Sequence, residues 1–188
     1  MKIENVQVYG IENAIRCSKF PMATDINKLN SDMTKTVLSL GNSEKAAGHD
    51  QFLTGIIVQF DLTFTIKAWT EAERYHFFDF ISSQSTMHRI SKFDLNEQYN
   101  EYVDDRIISI MNELKDRYNA SNNNEDYLRL LYSNPCGFQL TAGMTTNYRQ
   151  LKTIWAQRSN HRLNEWREFC GEIEKFPMFK ELCLRGDK

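Results

Sequence analysis

Three stretches gather the side chains that do acid–base and anion-binding chemistry. The first is GHDQF, with His49 ahead of a long apolar run. The second is QSTMHRIS, Gln84 to Ser91, where a histidine beside an arginine at a helix end can take a phosphate through side chains and backbone N–H groups. The third is NYRQLKTIWAQRSNHRLNEWREF, Asn147 to Phe169, which holds Asn147, Arg149, Arg158, His161 and Arg162. Here Leu151, Ile154, Trp155, Trp166, Phe169 and Ile173 recur at helical spacing, and Arg158 falls on the same apolar stripe. A guanidinium stays charged and is costly to bury unpaired, so Arg158 must meet an anion, reach water or mark a break in the helix. Each stretch also has a plainer reading. His49 is then a solvated loop residue, His88 and Arg89 are surface groups, and the later arginines snorkel or pair with Glu165 and Glu168.

The elements that must position these groups follow from periodicity. Ile3 to Tyr9 alternates weakly, as a strand ended by Gly10, and a helix is expected from Ile26 to Leu40. Gly41 to Phe52 reads as a loop. From Ile56 to Ala68 apolar and polar residues alternate, which predicts a strand with one buried face, antiparallel, about 40 Å long at roughly 3.3 Å per residue. Thr70 and Glu73 read as a capping box for a helix running toward Ser82 or Gln84. Asp104 to Tyr118 is an amphipathic helix, Ser121 to Asn124 a polar loop, and Asp126 to Tyr132 a short helix stopped by Asn134-Pro135. Thr145 or Thr146 is the expected cap of the last long helix. Helices and a dominant antiparallel signal, with no βαβ series, give an α+β fold in a single domain over residues 1–188.

Bulk properties exclude several classes. A chain of 188 residues with 41% hydrophobic and 26% charged residues has the size and composition of one soluble globular domain. A net charge of -2 argues against nucleic-acid binding by bulk electrostatics. No apolar run approaches a membrane span. Cys17, Cys136, Cys170 and Cys183 have no CxxC spacing, so they read as reduced cytoplasmic thiols rather than a metal site or a disulfide frame.

In order and spacing the three stretches resemble the flavin-dependent thymidylate synthase family. Gln84, Met87, His88 and Arg89 fall on its Q-x-x-R-H-R, and Asn96, Glu97 and Tyr102 on its N-E-x-S-x-R-Y. Asn147, Arg149, Leu151 and Arg158 fall on N-x-R-x-L-x(6)-R, and His161, Glu165 and Phe169 follow H-A-Q-x-E-I-x-x-Y one residue early. The resemblance implies an α+β homotetramer with active sites between subunits. It implies FAD as cofactor, with methylenetetrahydrofolate and NADPH as co-substrates, and reductive methylation of dUMP or a close relative. It also implies roles. His88 and Arg89 would meet flavin phosphates, and Asn147, Arg149 and His161 would hold the flavin. His49 would order the flavin or its neighbouring loop. Gln84, Glu97 and Arg129 would contact the nucleotide, and Arg158 would face the pyrimidine. The chain departs from the pattern at Met87, Tyr99 and Glu101, where the family has arginine, serine and arginine. Glu101 reverses the charge at a position that holds nucleotide phosphate in the family.

Overall fold

The computed structural model describes residues 1–44 and 47–184. Its elements in chain order are β1 (Lys2–Tyr9), α1 (Ile11–Ser18), α2 (Lys35–Gly41), β2 (Ile57–Thr65), α3 (Ile66–Ala72), β3 (Phe78–Ser83) and α4 (Thr86–Arg89). Then follow α5 (Asp105–Ser121), α6 (Asn124–Ser133), β4 (Gln139–Asn147), α7 (Tyr148–Arg158), α8 (Asn164–Ile173) and α9 (Phe179–Cys183). The four strands form one antiparallel sheet in the order β1-β2-β4-β3. The fold is therefore α+β, as the periodicity predicts.

The alternation in β2 sets the sheet's two faces. Val58, Phe60, Leu62 and Phe64 are almost fully buried against Leu151, Ile154, Trp166, Phe169 and Ile173 of α7 and α8. Each such side chain stabilises the fold by about 1.5–3 kcal/mol relative to exposure. A one-residue slip in register would move the whole set to the other face. That other face is polar and half-open: Asp61 lies opposite Gly143, and Thr63 and Thr141 share a 2.7 Å hydroxyl contact. A second cluster, Ile90, Leu95, Tyr99, Met111, Leu130 and Phe138, forms beneath α5 and α6.

Several boundaries differ from the expectations, each for a local reason. The strand stops at Thr65, not Ala68, because Thr65 caps α3 by accepting from the Ala68 N–H at 3.1 Å. Its nine residues span about 30 Å instead of 40 Å. Thr70 and Glu73 do not cap a helix: Thr70 sits inside α3 and its hydroxyl donates to the Ile66 carbonyl. The expected helix toward Ser82 is instead the edge strand β3, entered through Phe77 at φ 59°. Helix in the 26–40 region is confined to a short turn, Ile26–Lys28, and α2, which Thr34 caps. The end of the expected 41–52 loop winds into the helical turn His49–Gly55. Lys45 and Ala46, within that expected loop, lie outside the described residues. Thr145 and Thr146 lie in β4, and the cap of α7 is Asn147, which accepts from the Gln150 N–H at 2.9 Å. The single long helix expected at the end is two, because α7 stops at Arg158 and α8 starts at Asn164. Gly10 ends β1 at φ 82°, where a Cβ would meet the Gly55 carbonyl oxygen at 2.5 Å. Among the described residues, no helix is long and apolar enough to cross a membrane.

Candidate functional site

The turn His49–Gly55 packs against α7 and splits its side chains between two concavities. Asp50 is buried and faces α7. Its carboxylate accepts from Arg149 Nε at 3.0 Å and from Lys152 Nζ at 2.9 Å. Lys152, also buried, is completed by the carbonyls of Gly41 and Ser43, both at 2.8 Å. Arg149 reaches on to the Gln51 side-chain oxygen at 2.8 Å and stays partly exposed. Asn147 and Arg149 thus line one small pocket of about 210 Å³ with Asp50, Lys152 and Phe77. Two cations against one carboxylate leave that pocket net positive, which suits an anion. His49 points to the other side, into an apolar groove of about 910 Å³ between α1 and α2.

The opening puzzle of Arg158 resolves in two of the three ways allowed. It ends α7, and it meets an anion. Its Nε donates to the Tyr75 hydroxyl at 2.7 Å, and its Nη1 donates to Glu71 Oε2 at 2.8 Å. The guanidinium lies 4.9 Å from the centre of the Trp166 ring, so the apolar stripe itself supplies a cation–π floor. Arg158 is 6% exposed, and only its Nη2 carries a long contact, 3.5 Å to the Glu71 carbonyl. Burial pushes the Glu71 carboxyl up. The Lys67 hydrogen bond and the charges of Lys67, His161 and Arg158 outweigh this and hold it below its usual range. His161 completes the cluster, with Nε2 3.3 Å from Glu71 Oε2 and Nδ1 3.2 Å from the Leu163 nitrogen. Nε2 also lies 2.6 Å from Arg158 Nη1, which can only donate, so Nε2 is the acceptor of that shortest contact of the ring. Burial and then the Arg158 charge hold the His161 pKa below its ordinary value.

The remaining predicted residues lie elsewhere on the surface. Gln84 extends the β3–β4 ladder: its N–H donates to the Thr141 carbonyl and its side-chain oxygen accepts from the Thr141 N–H, both at 2.9 Å. His88 and Arg89 stand exposed in the last turn of α4, without a side-chain partner among the described residues. Glu97 is exposed in the turn after Asp94, and Arg129 pairs with Glu125 four residues back along α6. The plainer reading of Glu165 and Glu168 as arginine partners does not hold. Glu165 is buried and accepts from both the N–H and the hydroxyl of Thr65 at 2.8 Å, tying α8 to the start of α3. Glu168 pairs with no arginine among the described residues; it meets the N-terminal amine and accepts from the Asn164 amide.

Sequence reasoning missed Asp50, Glu71, Tyr75 and Lys152. Asp50 and Lys152 are 102 residues apart, and Glu71 and Arg158 are 87 apart, so no local spacing marks the pairs. The only available signal was the demand that a cation on a buried stripe must have a partner somewhere.

No protein-family model matches the sequence, and no curated protein does. Solved structures do. A flavin-dependent thymidylate synthase, ThyX from Helicobacter pylori complexed with FAD and dUMP, matches with TM-score 0.78 and 13% identity over 100% of both chains. A second structure of that enzyme with FAD and dUMP gives TM-score 0.77 and 12% identity over 98% of each chain. A UMP/dUMP methylase, PolB from Streptomyces cacaoi bound with 5-Br dUMP, gives TM-score 0.65 and 12% identity over 95% of this chain and 92% of its own. The chain has the fold of these enzymes along its whole described length.

Proposed function

We propose that this protein is a flavin-dependent enzyme that reductively methylates a pyrimidine nucleotide, dUMP or a close variant. The observation that carries the reading is the full-length match to a fold solved with FAD and dUMP, together with Asn147 and Arg149 side by side in a net-positive pocket. The residue types suit a flavin dinucleotide, but His49 lines a separate groove and His88 and Arg89 lie apart on α4, so one flavin would draw on all of them only across copies of the chain. Arg149, His88 and Arg89 offer cationic or hydrogen-bonding groups for phosphates, Asn147 has a free amide NH₂ beside its capping oxygen, and His49 and His161 complete the contacts. Bound there, FAD supplies the hydride, methylenetetrahydrofolate the one-carbon unit, and NADPH the reducing equivalents.

The chain's own residues then orient and stabilise. Glu71 and Tyr75 fix the plane of Arg158, leaving Nη2 as its spare donor. In this reading that donor faces the pyrimidine and stabilises negative charge developing on the ring. Gln84, Glu97 and Arg129 supply nucleotide contacts. The 210 Å³ pocket is smaller than the roughly 300–1,000 Å³ of a typical ligand site. That pocket by itself is too small for a dinucleotide, which suits sites shared between copies, as in the homotetramer that the resemblance implies. Four free cysteines among the described residues suit the reducing cytoplasm.

A second reading keeps the flavin and changes the substrate. Met87 and Glu101 stand where the family carries arginines, and one structural neighbour methylates UMP as well as dUMP. The test is a visible spectrum of the purified protein, identification of the cofactor released on denaturation, and turnover of dUMP and of UMP with methylenetetrahydrofolate and NADPH. A yellow protein releasing FAD and forming dTMP supports the first reading, and turnover of UMP alone supports the second. A colourless protein that takes up no added FAD overturns both.

A further inference from the structure

The loop between α7 and α8 sets His161 against the end of α7. Its backbone N–H donates to the Arg158 carbonyl at 2.9 Å, and its side chain is 24% exposed. The ring therefore has water on one side and the Arg158 cluster on the other. Three groups meet its nitrogens. Nε2 lies 2.6 Å from Arg158 Nη1 and 3.3 Å from Glu71 Oε2, and Nδ1 lies 3.2 Å from the Leu163 nitrogen. Arg158 Nη1 and the Leu163 N–H are both donors, and neither can accept. A neutral imidazole has one lone pair to offer, and the shorter contact, with Arg158, takes it. A protonated imidazole has none, so it cannot hold this place at either nitrogen. The acceptor within its reach is Glu71 Oε2.

The charges that face the ring come from three helices. Lys67 and Glu71 stand on α3, Arg158 on α7 and Arg167 on α8. Burial and the charges of Arg158, Arg167 and Lys67 oppose a protonated ring, and Glu71 supports one. Arg158 itself is shared among Tyr75, Glu71 and His161. Nη1 reaches both Glu71 and His161, which leaves Nη2, with its one long contact to the Glu71 carbonyl, as the least engaged donor. A planar acceptor edge, such as a carbonyl beside a ring nitrogen, is held better by two parallel donors than by one.

We propose that His161 is a positioning residue for Arg158, operated by a proton. Neutral, the ring accepts from Nη1 and holds the guanidinium on Glu71. Protonated, it leaves that contact and donates to Glu71, and the freed N–H of Nη1 joins Nη2 in gripping a ligand. The latch stands on the geometry of the cluster, and its consequence for binding rests on the nucleotide-methylating reading. Ligand and proton then bind together. An acceptor that engages Nη1 removes the donor that a protonated ring opposes, and the coupling is reciprocal.

The first measurement needs no ligand. The imidazole nitrogens of His161 and the guanidinium nitrogens of Arg158 are followed by NMR in the full chain between pH 7.5 and 5.5. The expected result is an unprotonated Nε2 at pH 7.5, and Arg158 signals that move with the same midpoint as the His161 ring. A protonated Nε2 at pH 7.5, or Arg158 signals that stay still while His161 titrates, overturns the latch. The second measurement is dUMP binding by calorimetry at both pH values, in wild type and in His161→Gln. Glutamine keeps an oxygen for Nη1 and cannot take the proton. The nucleotide's own phosphate ionises alike in both experiments, so the difference between the two proteins isolates His161. On acidification, affinity in wild type should gain about fivefold over His161→Gln, the lower end of coupling between sites. Equal pH dependence in the two proteins also overturns the latch. If neither protein binds dUMP at either pH, the nucleotide reading falls, and the ligand-free titration still decides the latch.

Discussion

Asp50→Asn tests whether the cations of α7 are held by buried charge pairing. The Asp50 side chain is 6% exposed and that of Lys152 is 11% exposed, so this pair is shielded from solvent. Asparagine keeps the shape and part of the hydrogen bonding but removes the charge. Lys152 would keep the Gly41 and Ser43 carbonyls, with no anion to balance its ammonium. Breaking a buried pair from one side costs about 3–5 kcal/mol. For a chain of this size that lowers the melting temperature by about 6–20 °C. The measurement is urea unfolding near pH 7, with the slope checked so that the midpoint shift reports stability. The double variant Asp50→Asn/Lys152→Met removes the stranded ammonium as well, and should recover most of the loss. A loss below about 1 kcal/mol, the scale of an exposed pair, would refute the reasoning. So would a double variant no more stable than the single one.

Three other outcomes are expected. Folded His161 resists protonation, so below pH 6.5 the unfolded chain binds a proton that the folded chain does not, and stability falls as pH drops through that window. His161→Asn should flatten the decline between pH 7.5 and 5.5 in urea midpoints, and an unchanged slope would exclude His161 as its source. The lowered Glu71 carboxyl acts separately: its contribution is present above its ordinary value of 4.5 and lost as pH falls further. In native protein, exposed Cys136 and half-buried Cys17 should react with a thiol reagent well before Cys170 and Cys183. Burial pushes the Cys170 thiol up to about 12 and raises that of Cys183 further, so early labelling of either would contradict the packing. Glu101→Arg should strengthen dUMP binding about tenfold by restoring the cation that the resembled pattern carries there, and no change in Kd would place Glu101 away from the phosphate.

Period-two alternation made β2 legible because its inward residues are large and its outward ones polar. The same reasoning overlooked β4, the strand between β2 and β3, although it also alternates. Its inward positions are Ala142, Met144 and Thr146, too weak a hydrophobic signal to register without the partner strands. β3 was hidden because FDFISS follows a helix with no turn-forming pair, and its ladder to β4 is made with residues far along the chain. Arg158 was conspicuous in the sequence because a charge on an apolar stripe is a conflict. Its answer, Glu71, was not, because only the packing of α3 beside the end of α7 brings the two together.

The pairing of charges sorts the candidate residues better than their position in any motif. Lys152, Arg149 and Arg158 each meet a wholly or partly buried carboxylate, Asp50 or Glu71, that belongs to the fold. A ligand phosphate competing for Lys152 or Arg158 would have to displace a carboxylate held in place by a second cation or a histidine. Such sites orient a ligand through spare donors and contribute little net charge to it. Among the described residues His88, Arg89 and Arg162 have no carboxylate partner, and Arg167 is bonded only to neutral oxygens. Their charge is fully available, screened only by salt and water. The affinity for phosphate should therefore reside in this second set and fall with ionic strength. The geometry around the reacting ring should depend on the first set and be nearly indifferent to salt.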